Sequence, residues 1–576
     1  MAFAPSTVLE QRREQMFPQL SPAQVEVAKR FGGTPQKFGP DEVIVHFGDI
    51  GAPAWLVLSG YVAVARKDPS GNRDDITRHL PGMMAGELSQ LGGGPSFVEA
   101  RAAPEGCEVM PFDAAHIRSL IVGHAEVGEM LMRAFILRRV ALIQAGAGTV
   151  IIGRSDGADS MRLQNFLRRN GIPHTVLDPE IDREGAEIIE RLAISPADLP
   201  IAVCPDGTVL KKPTEKKLAQ CQGLLPDFES NNNEFDVVVV GAGPAGLATA
   251  VYAASEGLSV LVLDSRAFGG QAGASSRIEN YLGFPTGISG MALAGRAFNQ
   301  AQKFGAVMAI PAEVRTLECG IQCAKMKQDP RVAQLPPAPR RFKIKLDDDT
   351  TIRASSVVIA SGARYRRLEI DNLGDFEGSG VYYWATPIEA KLCATREVIV
   401  VGGGNSAGQA AVFLAANAGH VHVLVRGPSL AATMSRYLID RIEALPNLTL
   451  HSHTEIMRLN GNRENGLHSV VWKNRRTGKQ EERDVRHVFL FIGADPNTEW
   501  LRECPIQVDA HGFICTGIVD QAQLPRLPLQ HETTQHGVFA VGDVRAGSVK
   551  RVASAVGEGS VVVSQLHTFL AESRQR

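Results

Sequence analysis

Four consecutive valines, Val237–Val240, predict a buried strand. They lead into a turn of sequence Gly-Ala-Gly-Pro-Ala-Gly over 241–246, an alanine-rich helical stretch, and a second apolar strand that ends in Asp264. Strand, glycine turn, helix, strand and terminal acid at these spacings predict a β–α–β unit that binds a dinucleotide. We expect the helix N-terminus to face a pyrophosphate and Asp264 to accept hydrogen bonds from a ribose.

The same alternation recurs from Val398–Val401, which precede a second glycine turn, a helical stretch and the apolar run Val421–Val425. No acid ends this unit, because Arg426 stands at that place. A carboxylate suits a ribose 2′-hydroxyl, whereas arginine suits a 2′-phosphate, so this unit is expected to take NADPH rather than NADH. Arg436 is either a second cation for that phosphate or a solvated helix residue. The predicted NADPH-binding residues are Gly402, Gly404, Asn405, Ser406, Ala407, Arg426, Arg436 and Gly493.

The first 225 residues carry other periodicities. Residues 20–115 alternate short apolar runs with glycines, which predicts a small β-barrel or jelly roll. Residues 114–144 have helical periodicity. The pattern over 149–221 is strand, helix, strand, helix, hairpin and helix, which indicates an α/β module. A polar, turn-rich stretch at 226–234 is typical of a linker.

Composition adds limits on location and partners. With 576 residues, 44% hydrophobic residues and a formal net charge of −2, the chain is expected to form several soluble domains without a nucleic-acid partner. No apolar stretch reaches the ~18–20 residues of a membrane helix, and no apolar signal core is present, so we expect a cytoplasmic protein. The eight cysteines are scattered and include no Cys-x-x-Cys, which favours reduced thiols over disulfides.

Three further segments resemble one family of flavoproteins. Gly269-Gly270-Gln271, the run Ile278–Tyr281 and the strand Val357–Ala363 are very similar to flavin-contacting segments of the thioredoxin-reductase family. The resemblance covers about 236–570 and implies two FAD segments flanking an inserted NADPH domain. It places Asp543 near the flavin and directs the N-terminus of the last helix at its pyrimidine ring. The implied FAD-binding residues are Gly241, Gly243, Pro244, Ala245, Gly246, Asp264, Gly270, Gln271, Asn280, Ala360, Gly362, Gly542, Asp543, Arg551, Val552 and Ala553.

The chain departs from that family where the reaction takes place. Thioredoxin reductases carry a Cys-Ala-Thr-Cys motif that rests on the flavin, but here the segment reads Trp384-Ala-Thr386-Pro387. Disulfide exchange needs a thiolate, and neither position supplies one. Cys393 remains as a single thiol, either packed in the interior or able to form a charge-transfer contact or mixed disulfide. The flavin-face candidates are therefore Trp384, Thr386, Pro387 and Cys393.

The N-terminal barrel resembles the cyclic-nucleotide-binding domain at Gly86-Glu87-Leu88. In that family this turn opens a helix that cradles the phosphate, and its glutamate holds the ribose. The arginine that pairs with the cyclic phosphate is replaced by Ser96, and Arg101 lies in a different register. We expect a degenerate structural or dimerising module, with cAMP or cGMP binding left open. The pocket residues implied are Gly86, Glu87, Leu88, Ser96 and Arg101.

The α/β module resembles a glutaredoxin or thioredoxin fold. That resemblance implies a cis peptide bond at Leu199-Pro200, just before the third strand. The loop that carries the active cysteines in that fold is 153–159 here, and it contains no cysteine. Dithiol exchange is therefore not expected from this loop. Cys204 is expected to be a buried apolar residue at a strand end.

Together these patterns predict a multidomain fold: an N-terminal β-barrel with helices, a thioredoxin-like α/β module, and a two-domain α/β flavoprotein of Rossmann type. The expected bounds are 1–145 for the barrel and its helices, 146–225 for the module, 226–234 for a linker, 235–370 with 496–576 for the FAD domain, and 371–495 for the NADPH domain.

The leading hypothesis is an FAD-dependent oxidoreductase that transfers hydride from NADPH to flavin N5 and then passes electrons to oxygen, a quinone or a partner protein. One alternative is a regulatory flavoprotein that responds to a ligand or to redox state. Another is reduction of thioredoxin through Cys393 or through remote cysteines. The resemblance to thioredoxin reductases implies a homodimer in which the NADPH domain rotates.

Overall fold

The computed structural model describes residues 12–67, 73–144, 148–226, 228, 233–275, 277–319, 342–378, 380–385, 387–462, 466–517 and 528–575. The chain divides into two units. The first contains Met1–Asn233, Ala253–Ala267 and Asn299–Glu313, and the second contains Glu234–Tyr252, Phe268–Phe298 and Val314–Arg576. No helix of the described residues is both long and apolar enough to cross a membrane.

The N-terminal segment forms the predicted barrel from two antiparallel sheets. Its strands are β1 (Gln36–Phe38), β2 (Val43–Val45), β3 (Ala54–Ser59), β4 (Val62–Lys67), β5 (Arg73–His79), β6 (Met84–Ala85), β7 (Glu99–Ala102) and β8 (Cys107–Phe112). One sheet has the order β1-β8-β3-β6 and the other β2-β7-β4-β5. Trp55, Val57, Val64 and Val109 belong to its buried core. Burial alternates along β7, whereas the first four residues of β3 are all buried, because β3 also packs against the helices.

Helices pack against this barrel. They are α1 (Arg13–Met16), α2 (Pro22–Lys29), α3 (Ser89–Gly92), α4 (Ala114–Gly123) and α5 (Ala125–Gln144). Ser21 and Gln24 form a capping box at the start of α2, and Asp113 caps α4 by accepting from the His116 backbone N–H at 2.8 Å. The fully buried Phe135 of α5 belongs to the same core as strand residues of the barrel. The helical prediction for 114–144 is confirmed.

The α/β module has the predicted element order. Its elements are β9 (Thr149–Ile152), α6 (Ala158–Arg169), β10 (His174–Leu177), α7 (Arg183–Arg191), a 3₁₀ turn (Pro196–Asp198), β11 (Ile201–Val203), β12 (Val209–Lys211) and α8 (Glu215–Cys221). The sheet order is β10-β9-β11-β12, with β9 and β10 parallel and the other pairs antiparallel. The Leu199–Pro200 peptide bond is cis, as expected. The likeness to glutaredoxin itself stays a prediction.

The first predicted nucleotide unit follows. Its elements and those after it are β13 (Glu234–Val240), α9 (Pro244–Ser255), β14 (Val260–Leu263), α10 (Gly270–Gly273), α11 (Gly290–Lys303), β15 (Val307–Ala309), β16 (Val314–Glu318), β17 (Phe342–Leu346), β18 (Thr351–Ile359) and β19 (Ala363–Tyr365). Strands β14 and β15, which belong to the first of the two compact units, form a parallel pair. In the second compact unit the strands lie in the order β13-β18-β17-β16, and β13 is parallel to β18.

The second nucleotide unit is a five-stranded parallel sheet. Its region contains a 3₁₀ turn (Leu373–Asp375), β20 (Val381–Tyr382), α12 (Pro387–Leu392), β21 (Glu397–Val401), α13 (Asn405–Ala415), β22 (His420–Leu424), α14 (Arg436–Glu443), β23 (Leu448–His451), β24 (Thr454–Asn462), β25 (Gly466–Asn474), β26 (Gln480–Arg483), β27 (Val488–Leu490) and β28 (Ala494–Pro496). The parallel order is β20-β27-β21-β22-β23, and β24-β25-β26 form a separate antiparallel sheet.

The chain then returns to the sheet that contains β13 and β18, here called the FAD-type sheet. Its last elements are a 3₁₀ turn (Glu499–Leu501), β29 (Val538–Ala540), a 3₁₀ turn (Gly542–Val544) and α15 (Val552–Gln575). Strand β29 pairs in parallel with β18. Strands β19 and β28, which flank the inserted unit in sequence, pair with each other. The five-stranded sheet therefore lies between these two paired strands in the sequence, and the domain bounds given above stay a prediction.

The expectation of reduced thiols is wrong for four cysteines. Cys204 bonds to Cys221 and Cys319 bonds to Cys504, each pair with Cα atoms 6.1 Å apart. Spacing in the sequence could not indicate this, because the fold brings together residues separated by 17 and 185 positions. Cys107, Cys393 and Cys515 are free thiols, and Cys323 lies outside the described residues.

We expect Cys221→Ser to lower the free energy of unfolding by about 3 kcal/mol, because the bond to Cys204 closes a short loop and constrains the unfolded chain. Urea titration followed by circular dichroism, without reductant, measures the change. Cys515→Ser, which removes a free thiol, is the matched control and should stay close to the parent. If Cys221→Ser and the parent unfold at the same urea concentration without reductant, the disulfide does not form in solution.

Candidate functional site

Parallel register brings three chain segments to one edge of the FAD-type sheet. Val240 of β13 and Ala540 of β29 both pair with Ile359 of β18. The residues that follow these strands, beginning with Gly241, Ala360 and Val541, therefore meet at the same edge. Ligands of open parallel sheets bind at the carboxyl ends of the strands, which makes this edge the first candidate site.

The glycine turn after β13 leaves no room for side chains on its sheet side. Gly241 has φ +115°, and a Cβ there would collide with the carbonyl oxygen of Ala360. At Gly246 a Cβ would collide with the carbonyl oxygen of Gly241, so helix α9 packs closely on the strand. Gly243 is different, since its Cβ would meet only the Gly270 Cα at 3.9 Å. The turn is thus closed towards the sheet and open at Gly243, where a pyrophosphate would approach.

Neighbouring segments fix this turn. Gly269 donates its N–H to the carbonyl oxygen of Ala242 at 2.7 Å, and Gln271 Nε2 donates to that of Ala363 at 2.5 Å. The predicted residues Gly270 and Gln271 are therefore held beside the first glycine turn. Pro244 and Ala245, also predicted to bind FAD, are the first two residues of α9. Gly362 lies just after β18 with φ +62°, and Asn280 is exposed.

Asp264 is the residue directly after β14. Its Oδ1 accepts backbone hydrogen bonds from Arg266 at 2.9 Å and Ala267 at 3.2 Å. The carboxylate therefore organises its own turn. The ribose contact of Asp264 stays a prediction.

Glu558 is a residue of this edge that the sequence pattern did not single out. It accepts from the Gly542 N–H at 2.7 Å and from Arg545 at 2.6 Å, and so clamps the turn that carries Asp543. Burial raises the pKa of Asp543, and the Glu558 carboxylate adds to this shift. Arg551, Val552 and Ala553 follow at the start of α15. The signal available in the sequence was an acid between two glycines, nearly two helical turns into α15.

The second candidate site lies at the carboxyl edge of the five-stranded sheet. Gly402 has φ +139°, and a Cβ there would collide with the carbonyl oxygen of Phe491. Gly404, the residue before α13, has open space at its Cβ position. Asn405, Ser406 and Ala407 form the first turn of α13, of which Asn405 and Ser406 are exposed. The geometry repeats that of the first site, with the helix N-terminus facing the open side.

Two residues missed by the sequence reasoning hold the second turn. Thr433 Oγ1 donates to the Gly403 carbonyl oxygen at 2.6 Å. Ser435 donates to Asn405 Oδ1 through its backbone N–H at 2.7 Å and its hydroxyl at 3.0 Å. No local sequence signal marks these contacts, because they join segments about 30 residues apart.

The two predicted cations differ in their surroundings. Arg426 follows β22 at the sheet edge and is exposed, and no described residue forms an ion pair with it. Arg436 pairs with Asp440 at 2.7 Å on the exposed face of α14. Gly493, at φ +98°, accepts the Arg366 backbone N–H at 2.9 Å. Arg426 is thus the cation at this edge that remains available to a phosphate.

The segment in place of the dithiol is held by an acid. Trp384 Nε1 donates to Glu389 Oε1 at 3.1 Å, and Glu389 is fully buried. Pro387 begins α12, and Thr386 lies outside the described residues. Cys393 is fully buried, and burial together with the Glu389 carboxylate raises the pKa of its thiol to about 12. This is the environment of a packed, protonated cysteine.

The barrel residues have partners of their own. Glu87 is buried and lies 2.9 Å from Arg139 Nε, while the Ser96 hydroxyl donates to the Val98 carbonyl oxygen at 2.8 Å. Arg101 pairs with a carboxylate of its own strand at 3.0 Å and does not line the barrel cavity. Gly86, at φ +149°, and the buried Leu88 complete the predicted turn.

Two family models match the chain. The model described as pyridine nucleotide-disulphide oxidoreductase matches residues 235–559, and the cyclic nucleotide-binding domain model matches residues 35–124. The first match covers both candidate nucleotide sites, and the second covers the barrel.

Relatives agree with these matches. The chain is 29% identical over 355 residues to NADPH-dependent thioredoxin reductase 3 of Arabidopsis thaliana, a match that covers 60% of this chain and 61% of that protein, less than two thirds of its length. It is 28% identical over 424 residues to an NADH dehydrogenase of Ferdinandcohnia aciditolerans, covering 72% of each. The thioredoxin reductase of Lactococcus lactis in its FR conformation is a similar solved structure, with a TM-score of 0.50, 28% identity and coverage of 59% and 99%.

Because iodoacetamide alkylates the thiolate, Cys393 should stay unlabelled in the folded protein at pH 7 to 9 and react only on unfolding. A thiol with a raised pKa is neutral below that pKa, so the thiolate appears only as the pH approaches about 12. Peptide mass mapping after timed alkylation measures this. Cys515, a free and half-buried thiol, serves as the control and should react faster. Equal labelling rates would show that Cys393 is accessible.

Proposed function

The chain belongs to the pyridine nucleotide-disulphide oxidoreductase family, and we propose that it oxidises NADPH with bound FAD and passes the electrons to an acceptor other than thioredoxin. One observation carries the proposal. The glycine turns of both candidate sites are intact, whereas an indole held by Glu389 replaces the first cysteine of the family's dithiol. The binding sites for hydride transfer from NADPH to FAD are retained in this proposal. The dithiol that would carry electrons from the flavin to a disulfide is replaced.

The first sheet edge fits FAD. The open Gly243 would admit the pyrophosphate at the N-terminus of α9, and Asp264 would accept from the ribose. Gly270, Gln271, Ala360, Gly362 and the Glu558-clamped turn at Asp543 would line the rest of the cofactor. The N-terminus of α15, after Arg551, would place positive potential at the flavin. Bound FAD would supply hydride acceptance, and the protein binds and orients it.

The second sheet edge fits a nicotinamide dinucleotide with a 2′-phosphate. The N-terminus of α13, with Gly402, Gly404 and Asn405, would take the pyrophosphate. The exposed Arg426 would pair with the 2′-phosphate, which NADH lacks. Arg436 pairs with Asp440 on the exposed face of its helix, which makes it the weaker candidate for this role. Relatives named as NADPH-dependent and as NADH dehydrogenase both occur, so the preference rests on Arg426.

The acceptor is proposed to approach the face that Trp384 occupies. An indole offers stacking and one N–H donor but no redox thiol. Cys393 is buried and its thiol is protonated, which leaves it unsuited to attack a disulfide. Oxygen, a quinone or the surface of a partner protein are the acceptor classes compatible with this face. We also propose a cytoplasmic homodimer with the domain bounds given above.

The barrel favours regulation as a second function. Its fold is that of a ligand-binding domain, and it contains a cavity of about 310 Å³. In this function the barrel ligand would set the rate of NADPH oxidation, and a flavin that remains oxidised without ligand would make regulation the primary role.

Anaerobic stopped-flow mixing of the FAD-loaded protein with NADPH tests the proposed reaction. The visible absorbance of oxidised flavin should fall rapidly, and faster than with NADH. A flavin that stays oxidised with both nucleotides contradicts the reductase function.

Arg426→Ala should raise the KM for NADPH roughly 10- to 100-fold, because it removes a charge-assisted pair with the 2′-phosphate. The KM for NADH should change little, since that nucleotide has no such phosphate. Arg436→Ala is the matched control. In steady-state kinetics, its KM values for both nucleotides should stay close to those of the parent. Equal effects of Arg426→Ala on the two nucleotides would remove the phosphate role.

Reduction of thioredoxin should be absent from the parent protein, because no thiolate pair connects the flavin to an outside disulfide. The measurement is NADPH oxidation coupled to thioredoxin and a chromogenic disulfide, with a thioredoxin reductase as positive control. Cys393→Ser should behave as the parent. Activity in the parent that Cys393→Ser abolishes would establish the single-thiol mechanism instead.

A further inference from the structure

The barrel encloses a cavity of about 310 Å³ bounded by strands of both sheets and by helix α5. Its walls are mainly apolar, and three rings contribute to them, those of Phe17, Trp55 and His79. The Phe17 and His79 rings lie edge to face with centroids 5.7 Å apart. A volume of this size suits a ligand of one or two fused rings.

Both arginines that line the cavity are engaged by protein groups. Arg138 is buried and donates to three backbone carbonyl oxygens at 2.7, 2.7 and 2.8 Å. Arg66 donates to Asp74 at 2.9 Å. Neither guanidinium is therefore placed to form the bidentate pair that a cyclic phosphate requires.

The turn that would hold a cyclic nucleotide lacks the cation for its phosphate. Glu87, the expected ribose partner, forms an ion pair with Arg139 at 2.9 Å, but its buried carboxylate oxygens form no hydrogen bond with the described residues. Ser96, at the place of the expected arginine, donates to Val98 at 2.8 Å. Arg101 is absent from the cavity lining. The contact that recognises a cyclic phosphate is thus missing, while the Glu87 carboxylate can still accept a hydrogen bond from a ligand hydroxyl.

The charged groups of the lining already have partners within the protein. The carboxylates of Asp74, Asp75 and Glu87 form ion pairs with Arg66, Arg73 and Arg139, and the Arg138 guanidinium donates to backbone carbonyl oxygens. A phosphate or sulfonate would lose its hydration in a mainly apolar wall whose two guanidinium groups are already engaged. An uncharged ligand avoids this cost.

Two aromatic side chains of the wall retain unused hydrogen-bonding capacity. Trp55 Nε1 and both ring nitrogens of His79 are buried and have no partner among the described residues, and His79 as a whole is only 2% exposed. Burial, with the nearby Arg138, lowers the pKa of His79, so its imidazole is neutral and offers one donor and one acceptor. Buried polar groups in native proteins normally have partners. Here the partner is missing beside a cavity.

We propose that the barrel cavity binds an uncharged aromatic molecule that carries a hydroxyl or carbonyl oxygen, and that it does not bind a cyclic nucleotide. The rings of Phe17 and Trp55 pack against the ligand. Its oxygen accepts from Trp55 Nε1 and exchanges a hydrogen bond with His79. This assignment is independent of the proposed redox reaction, since it concerns the barrel alone.

Isothermal titration of the full-length, FAD-loaded protein tests the ligand class with three probes. 2-Naphthol is uncharged at pH 7 and carries a hydroxyl, naphthalene-2-sulfonate has the same rings with a charge, and cAMP is the cyclic nucleotide. 2-Naphthol should bind with a Kd below about 1 mM and at least about tenfold more tightly than either anion. Tighter binding of cAMP, or no binding of 2-naphthol, overturns the proposal.

Variants locate the bound probe. Trp55→Phe keeps a ring but removes the N–H and should weaken 2-naphthol about tenfold, while Val64→Phe fills the cavity and should abolish binding. Arg101→Ala, outside the lining, should leave it unchanged. Circular dichroism and flavin absorbance confirm that each variant folds. Parent-like binding of 2-naphthol to Val64→Phe, or loss of cAMP binding in Arg101→Ala, contradicts the proposal.

Discussion

Parallel strand register is the constraint on which both candidate nucleotide sites depend. In each sheet, a strand that ends in a glycine turn lies beside another strand whose next carbonyl occupies the space of a glycine Cβ. Gly241 faces Ala360 in this way, and Gly402 faces Phe491. The open positions, Gly243 and Gly404, then lie on the other side, at a helix N-terminus. A shift of one residue in register would bring side chains into the space that phosphates need.

The residues at the place of the family's dithiol differ in chemistry from two cysteines. A buried carboxylate, Glu389, holds the indole of Trp384 and also raises the pKa of Cys393. One acid thus holds a redox-inactive ring and contributes to keeping the Cys393 thiol protonated. In the proposed function, this arrangement would preserve the exchange between nicotinamide and flavin and would change the class of electron acceptor. The family relationship alone does not give that distinction, since relatives are named both as thioredoxin reductases and as NADH dehydrogenases.

The barrel shows the same separation of fold from chemistry. Its two four-stranded sheets and the turn at Gly86 match a cyclic nucleotide-binding domain. The buried guanidinium of Arg138, however, is satisfied by backbone carbonyl oxygens of the protein. A fold persists as long as its core is filled, whereas ligand recognition depends on a few polar groups that can be reassigned to internal partners.

Local pattern was sufficient to predict the element order, the two glycine turns, the barrel and the missing dithiol, because strand and helix periodicity and φ-demanding glycines are written within about 30 consecutive residues. Contacts across long separations were decided only by the tertiary structure. The Cys319–Cys504 bond, the clamp of Glu558 on Gly542, the hold of Thr433 on Gly403 and the internal partners of Arg138 all join segments whose proximity no spacing rule encodes. Sequence determined which turns can bind nucleotides, and the fold decided which charges remain free to meet a ligand.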